Sequence, residues 1–159
     1  MAPELLGKYL VRRIGKKLIA AAITEVEAYD GWRDKASHAF RGKTNRNFSM
    51  FGESGRWYVY FIYGNYWMLN IVTGKRDYPS AVLIRGVVGA SGPGRLTKFF
   101  KIGKRFNNLP ANRKTGLLIE SRPTSPRLRK GAVHSGPRIG VAYAGPYWSK
   151  KKWRFYIGS

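Results

Sequence analysis

The chain has 159 residues with 30 Lys+Arg against 8 Asp+Glu, a formal net charge of +22 in a length that fits one domain with a real core. Hydrophobic residues make up 43% and aromatics 14%, too apolar for a disordered basic tail, and no run of about 18 apolar residues is available to cross a membrane. Lack of cysteine excludes disulfides, thiolate metal sites and a Cys nucleophile; with only His38 and His134, a His-rich metal centre is excluded too.

The segment Met1-Ala2-Pro3-Glu4-Leu5-Leu6-Gly7 lacks a charged region followed by an apolar stretch, so no secretory signal is expected. Residues 5–14 and 18–29 read as two strands joined by a tight turn at Gly15. Residues 33–40 fit a short helix or turn, and 41–49 a polar loop. Strands are expected at 56–62 and 66–73, rich in aromatic and β-branched residues and linked by Tyr63-Gly64-Asn65, a sequence with turn chemistry. Another strand is expected at 81–88. Residues 95–102 carry Leu96, Phe99 and Phe100 at helical spacing after Gly92-Pro93-Gly94. Strands at 115–120, 138–144 and 153–157 complete the set, and 121–136, rich in Pro and Arg, is expected to be a mobile loop. The expected fold is one α+β domain over 1–159, with a curved, mainly antiparallel β-sheet and a few short helices.

A charge this large attracts polyanions. Nucleic acid is the natural partner; an anionic membrane surface, acidic proteins or mere solubility are the rivals. Basic residues are spread along the chain, which argues for a folded basic surface rather than a detachable arm. No amphipathic helix of useful length supports membrane binding.

Carboxylates are scarce, yet Glu25 and Glu27 fall together in Thr24-Glu25-Val26-Glu27-Ala28-Tyr29. Strand alternation puts Glu25, Glu27 and Tyr29 on one face and Thr24, Val26 and Ala28 on the other. Spacing alone favours solvated glutamates on an edge strand, neutralising basic neighbours, over a site. A lone histidine such as His38 is ordinarily structural. In the aromatic run 57–67, one strand face carries Tyr58, Tyr60 and Ile62 and the other Trp57, Val59 and Phe61. One set can fill the core. Tyr63, at a hairpin tip, is poorly placed to be buried, and aromatics beside positive charge suit stacking on bases or wedging between base pairs.

These segments together resemble the alkyladenine (3-methyladenine) DNA glycosylase family. The resemblance rests on Leu6-Gly7-Lys8, Glu25-Val26-Glu27-Ala28-Tyr29, Ser37-His38, Asn45-Arg46-Asn47 and Met50-Phe51. It continues through Tyr58-Val59-Tyr60-Phe61-Ile62-Tyr63-Gly64, Asn70, Val82-Leu83-Ile84-Arg85 and Gly92-Pro93-Gly94-Arg95-Leu96. It closes with Pro137-Arg138-Ile139-Gly140-Val141 and Trp153-Arg154-Phe155-Tyr156, covering nearly the whole chain.

The resemblance implies a DNA repair enzyme that flips alkylated or deaminated purines from duplex DNA and hydrolyses the N-glycosidic bond. Glu27 would be the general base that deprotonates the attacking water. Tyr29, His38 and Tyr60 would line the pocket, with Asn70 at its floor rejecting the amino group of normal guanine. Tyr63 would wedge into the gap left in the duplex. Arg85 would help hold the water and the target phosphate, and the backbone of Ile139 would contact that water. No metal or other cofactor is implied. The expected enzyme is a monomer that leaves an abasic site without cutting the strand. Its partner would be damaged double-stranded DNA, in the cytoplasm of a prokaryote or the nucleus of a eukaryote. A non-catalytic basic β domain that binds RNA or DNA is the alternative, though it leaves Glu27, His38 and Asn70 without a role.

Overall fold

The structure, a computed structural model, describes residues 1–123, 128 and 132–158. Nine strands are found among them: β1 (Tyr9–Ile14), β2 (Lys17–Asp30), β3 (Trp57–Ile62), β4 (Tyr66–Val72), β5 (Ser80–Val87), β6 (Ala90–Ser91), β7 (Leu117–Glu120), β8 (Val133–Gly136) and β9 (Arg154–Ile157). The helices are α1 (Pro93–Phe99) and α2 (Gly145–Lys150), with short 3-10 turns at Ala2–Leu5, His38–Arg41, Phe48–Phe51, Lys104–Phe106 and Ala142–Ala144. The strands join one curled antiparallel sheet in the order β3-β4-β5-β2-β1-β7; β6 adds to β5, β9 to β2 and β8 to β9. The fold is α+β.

Strand β2 is the spine. Residues 17–22 pair with β1, 23–30 with β5, and Glu25–Glu27 also with β9. The β2–β5 register shifts between Ile23 and Val26, a β-bulge. Upstream of it Ala21 and Ile23 face the main core; downstream Val26 and Ala28 do. Uninterrupted alternation from Ile23 would drive Glu25 and Glu27 into that core. The extra residue turns both carboxylates and Tyr29 to the opposite face.

The main core holds Leu10, Ile23, Val26, Trp57, Leu69, Ile84, Leu96, Phe100 and Leu117. Trp57 keeps its polar handle satisfied, its Nε1–H donating to the Leu117 carbonyl at 3.1 Å. Helix α1 opens with Pro93 in its first turn and buries Leu96 against the sheet, with Phe100 just past its end. It lies so close to β4 that a Cβ on Gly94 would enter the Tyr66 ring. On the sheet's other face Tyr58, Met50, Phe51, Ala39, Val72 and Ala81 form a second cluster, with Tyr29 and Tyr60 partly buried against it. The two faces of β3 are therefore divided as alternation requires: Trp57 and Val59 in the main core, Tyr58 and Tyr60 opposite.

Some sequence expectations need correction. Residues 138–144 are not a strand: Gly140 takes a φ of +75°, and Ala142–Ala144 is a 3-10 turn. Residues 133–136, expected as loop, form β8, because pairing with β9 from Val133↔Ile157 to Gly136↔Arg154 supplies hydrogen bonds that no apolar pattern announces. Residues 124–127 and 129–131 of that expected loop lie outside the described residues. Within 33–40 the turn reading holds, with a 3-10 turn starting at His38 and capped by the Ser37 hydroxyl, which accepts from Ala39 N–H. The polar stretch 41–49 runs into a 3-10 turn at Phe48–Phe51, whose Ser49, Met50 and Phe51 are buried.

Candidate active site

The bulge of β2 delivers Glu27 to the middle of the sheet, not to an edge, and its side chain is 0% exposed. The edge-strand reading of the two glutamates is thereby overturned. Three groups hold the carboxylate. The Tyr29 hydroxyl donates to Oε2 at 2.9 Å, the Ile139 N–H donates to Oε1 at 2.7 Å, and Arg85 Nη1 stands 3.5 Å from Oε1. Burial lifts the Glu27 carboxyl above the ordinary carboxylate range; Arg85, the Ile139 N–H and the Tyr29 hydroxyl oppose the lift without cancelling it. Burial, reinforced by the nearby Glu27 charge, raises Tyr29 far above its usual range, so it remains a protonated donor.

Glu25 does a different job. Its Oε1 accepts from Arg85 Nε at 3.2 Å and from Arg154 Nη1 at 3.0 Å. Arg85 therefore spans both glutamates, anchored on one and facing the other.

Beside the carboxylate lies an open cavity lined by Tyr29, Ala36, Ser37, His38, Met50, Tyr58, Tyr60 and Asn70. Strand pairing places Asn70 directly opposite Tyr58, and its Nδ2 donates to the Tyr58 carbonyl at 3.1 Å. His38 Nδ1 pairs with the Tyr58 hydroxyl at 3.0 Å, and its ring meets Tyr60 edge-on at 4.6 Å. Burial and the Arg46 charge lower the His38 pKa, keeping the imidazole neutral near pH 7. Its second nitrogen, Nε2, remains for a ligand. Asn47 fixes the loop, donating from Nδ2 to the carbonyls of His38 and Gly42 at 3.1 and 2.9 Å.

The structure thus brings Glu27, Arg85, Tyr29, His38, Tyr60, Asn70 and Ile139 together. The Ile139 N–H is taken by Glu27, which leaves the carbonyl as the free backbone group of this residue. Tyr63 stands apart at the β3–β4 tip, 80% exposed, with φ of +55° followed by Gly64 at +62°. The turn closes through Asn65 N–H to the Ile62 carbonyl at 3.2 Å. A left-handed conformation costs a non-glycine residue about 1–2 kcal/mol, so the fold accepts strain to present this ring.

The sequence reading missed Asp34 and gave Arg138 no role. Arg138 Nη1 and Nη2 donate to Asp34 Oδ2 and Oδ1 at 2.6 and 2.8 Å, both side chains being fully buried, and Nη1 also reaches the Ala28 carbonyl at 2.9 Å. The guanidinium lies 4.8 Å over the Tyr29 ring and 5.1 Å over Trp153. This pair ties the segment that presents the Ile139 N–H to the strand that carries Glu27. The only sequence hint was a lone acid in a basic stretch, Arg33-Asp34-Lys35.

Two further findings bear on identity. A family model described as Methylpurine-DNA glycosylase (MPG) matches residues 1–89 and 88–159. A relative from Anaeromyxobacter dehalogenans (strain 2CP-C), named "Putative 3-methyladenine DNA glycosylase", is 44% identical over 164 residues, covering 99% of this chain and 77% of that protein. Relatives bearing the same name in Methanocella arvoryzae and Borrelia garinii subsp. bavariensis are each 41% identical, covering 98% and 99% of this chain and 85% and 89% of theirs. Agreement over nearly the whole length makes this chain a member of the methylpurine-DNA glycosylase family.

Proposed function

We propose that this DNA glycosylase removes alkylated and deaminated purines, such as 3-methyladenine, 7-methylguanine and hypoxanthine, by monofunctional hydrolysis that leaves an abasic site. The observation that carries the reading is a fully buried carboxylate, Glu27, held by three partners beside a cavity walled by tyrosine rings. A glycosidic bond inside a duplex is unreachable, so the nucleotide must be extruded at a cost of a few kcal/mol, least for weakly paired or damaged bases. N3- or N7-alkylated purines are cations, and the faces of Tyr29 and Tyr60 favour a desolvated cation by about 1–2 kcal/mol. Asn70, fixed on the Tyr58 carbonyl, forms a rigid floor against the amino group of guanine. Every proposed group lies within one chain, so the proposed chemistry calls on no residue of a second copy.

In the chemical step Glu27 takes a proton from water as the oxygen bonds to C1′ of the sugar. The C1′–N bond breaks and its electrons leave with the base: an alkylated cation departs neutral, and hypoxanthine departs as its anion and takes a proton from solvent. The same carboxylate stabilises the oxocarbenium character of the transition state. Because water rather than a protein amine attacks C1′, no Schiff base forms on the sugar and strand cleavage by elimination does not follow.

The direct test is chromatography of free base released from duplexes carrying a single methylated or deaminated purine. Release from those duplexes, with none from undamaged DNA, supports the proposal. Equal affinity for undamaged DNA and RNA without release would favour the non-catalytic alternative.

Two results are expected alongside. The general base must be ionised, so base release falls as acid protonates Glu27, and because burial raises that group the acidic limb lies above the ordinary carboxylate range. A single-turnover pH profile checks this. Tyr63→Gly separates wedge from fold: relief of the left-handed strain is offset by the unfolded-state entropy of glycine, about 0.5–1 kcal/mol, leaving stability unchanged or slightly raised. Losing the wedge weakens extrusion by about 1.4 kcal/mol or more, at least about a tenfold drop in base release. Urea denaturation and single-turnover assays read the two effects separately.

A further inference from the structure

The buried guanidinium of Arg138 has its carboxylate; a second buried guanidinium has none. Arg12, on β1, is only 3% exposed, and its Nε is buried without a hydrogen-bond partner. Its Nη1 reaches the carbonyls of Arg13 and, at 3.3 Å, Gly116. Arg12 and Arg105 both lie over the Phe106 ring, at 4.6 and 4.8 Å from its centroid. Burial and the Arg105 charge press the Arg12 pKa below its usual value. Among the described residues, no ion pair joins Arg12, Arg13, Arg105 or Arg113 to a carboxylate.

Arg12, Arg105 and Phe106 line an open cavity together with Arg13, Leu109, Thr115 and Gly116. Arg12 shares its face of β1 with Leu10, a core residue, so the cavity opens at the end of the core. That is the sheet face opposite Glu27. A desolvated cation beside a second cation, with an unmade hydrogen bond, is costly unless an anion joins it. Planar guanidinium forks match the tetrahedral oxygens of phosphate.

We propose that the Arg12–Arg105 cavity is a phosphate-binding site, separate from the active site, that takes the oxygens of a phosphate group. Two sources offer that chemistry: free inorganic phosphate, and the backbone phosphodiester of a second duplex segment.

The test titrates wild-type protein with inorganic phosphate against chloride at matched ionic strength, following 31P line broadening and thermal unfolding. Arg105 is exposed, so Arg105→Gln keeps the fold while emptying one side of the cavity. Wild type is expected to broaden the phosphate signal and gain thermal stability, and R105Q to bind phosphate about tenfold more weakly, as loss of one charge-assisted contact implies. Arg12→Lys, which retains charge but not the fork, is expected to weaken binding as well. Repeating the titration with saturating undamaged duplex separates the sources. A response that persists assigns the site to free phosphate. A response that is lost, together with less bridging of labelled duplex to immobilised duplex by R105Q, assigns it to phosphodiester. Identical phosphate responses in wild type and R105Q, or no response in wild type, would overturn the proposal.

Discussion

Glu27→Gln is expected to lower single-turnover base release by about 10²–10⁴-fold, the usual worth of a positioned general base, while leaving binding to damaged duplex intact. Glutamine is close in shape to glutamate, so its carbonyl can still accept from Ile139 N–H and the cavity keeps its walls. What goes is the proton acceptor and the negative charge facing the sugar. Stability should move the other way. Glu27 has a folded-state pKa raised above its unfolded value, so its contribution is fully present below the unfolded pKa and is lost as pH rises through the folded one. At neutral pH the buried carboxylate is therefore a burden on folding. The glutamine variant is expected to unfold at the same or a higher temperature near pH 7 and to lose that advantage in acid. A variant with wild-type release rates would remove Glu27 from the mechanism.

The largest stability effect is expected from Asp34→Ala. Asp34 accepts both arms of Arg138, and also the N–H groups of Ala36 and Asp30 at 3.1 and 3.3 Å. Removing one partner of a buried pair strands the other charge, at a cost of about 3–5 kcal/mol. For a chain of this size that lowers Tm by roughly 6–20 °C. Scanning calorimetry measures it. Because Arg138 precedes Ile139, base release at a temperature where the variant is still folded should fall too, with Asp34→Asn intermediate in both readouts. Loss of activity only in proportion to unfolding would reduce the pair to a structural role.

Much of this was legible in the sequence where local pattern and burial agree. Strands β3 and β4 announce themselves by aromatic and β-branched residues around a turn, and α1 by Leu96 and Phe100 after Pro93. Glu27 was visible as a carboxylate sharing a face with Tyr29. That it is central was not, because edge and middle are decided by which strands dock on β2. Asp34 and Arg138 are 104 positions apart, and a contact of that range leaves no periodic trace. The misread stretch 138–144 alternates like a strand, but its hydrogen bonds go elsewhere: Arg138 is committed to Asp34, and the Ile139 N–H to a side chain. Strand β8 fails in the opposite sense, since Val133-His134-Ser135-Gly136 has no apolar face and exists by pairing alone.

The three-way pairing of β2 also sets how motion is distributed. Amide hydrogens around Glu27 should exchange with deuterium only on the timescale of global opening, whereas those of the 3-10 turns around His38 and Met50 should exchange through local fraying. The proposed general base is thus borne by the stiffest part of the molecule, and the surfaces that would judge the incoming base by its most pliant. Changes in lesion spectrum during evolution should accordingly accumulate in those turns, sparing the strand beneath them.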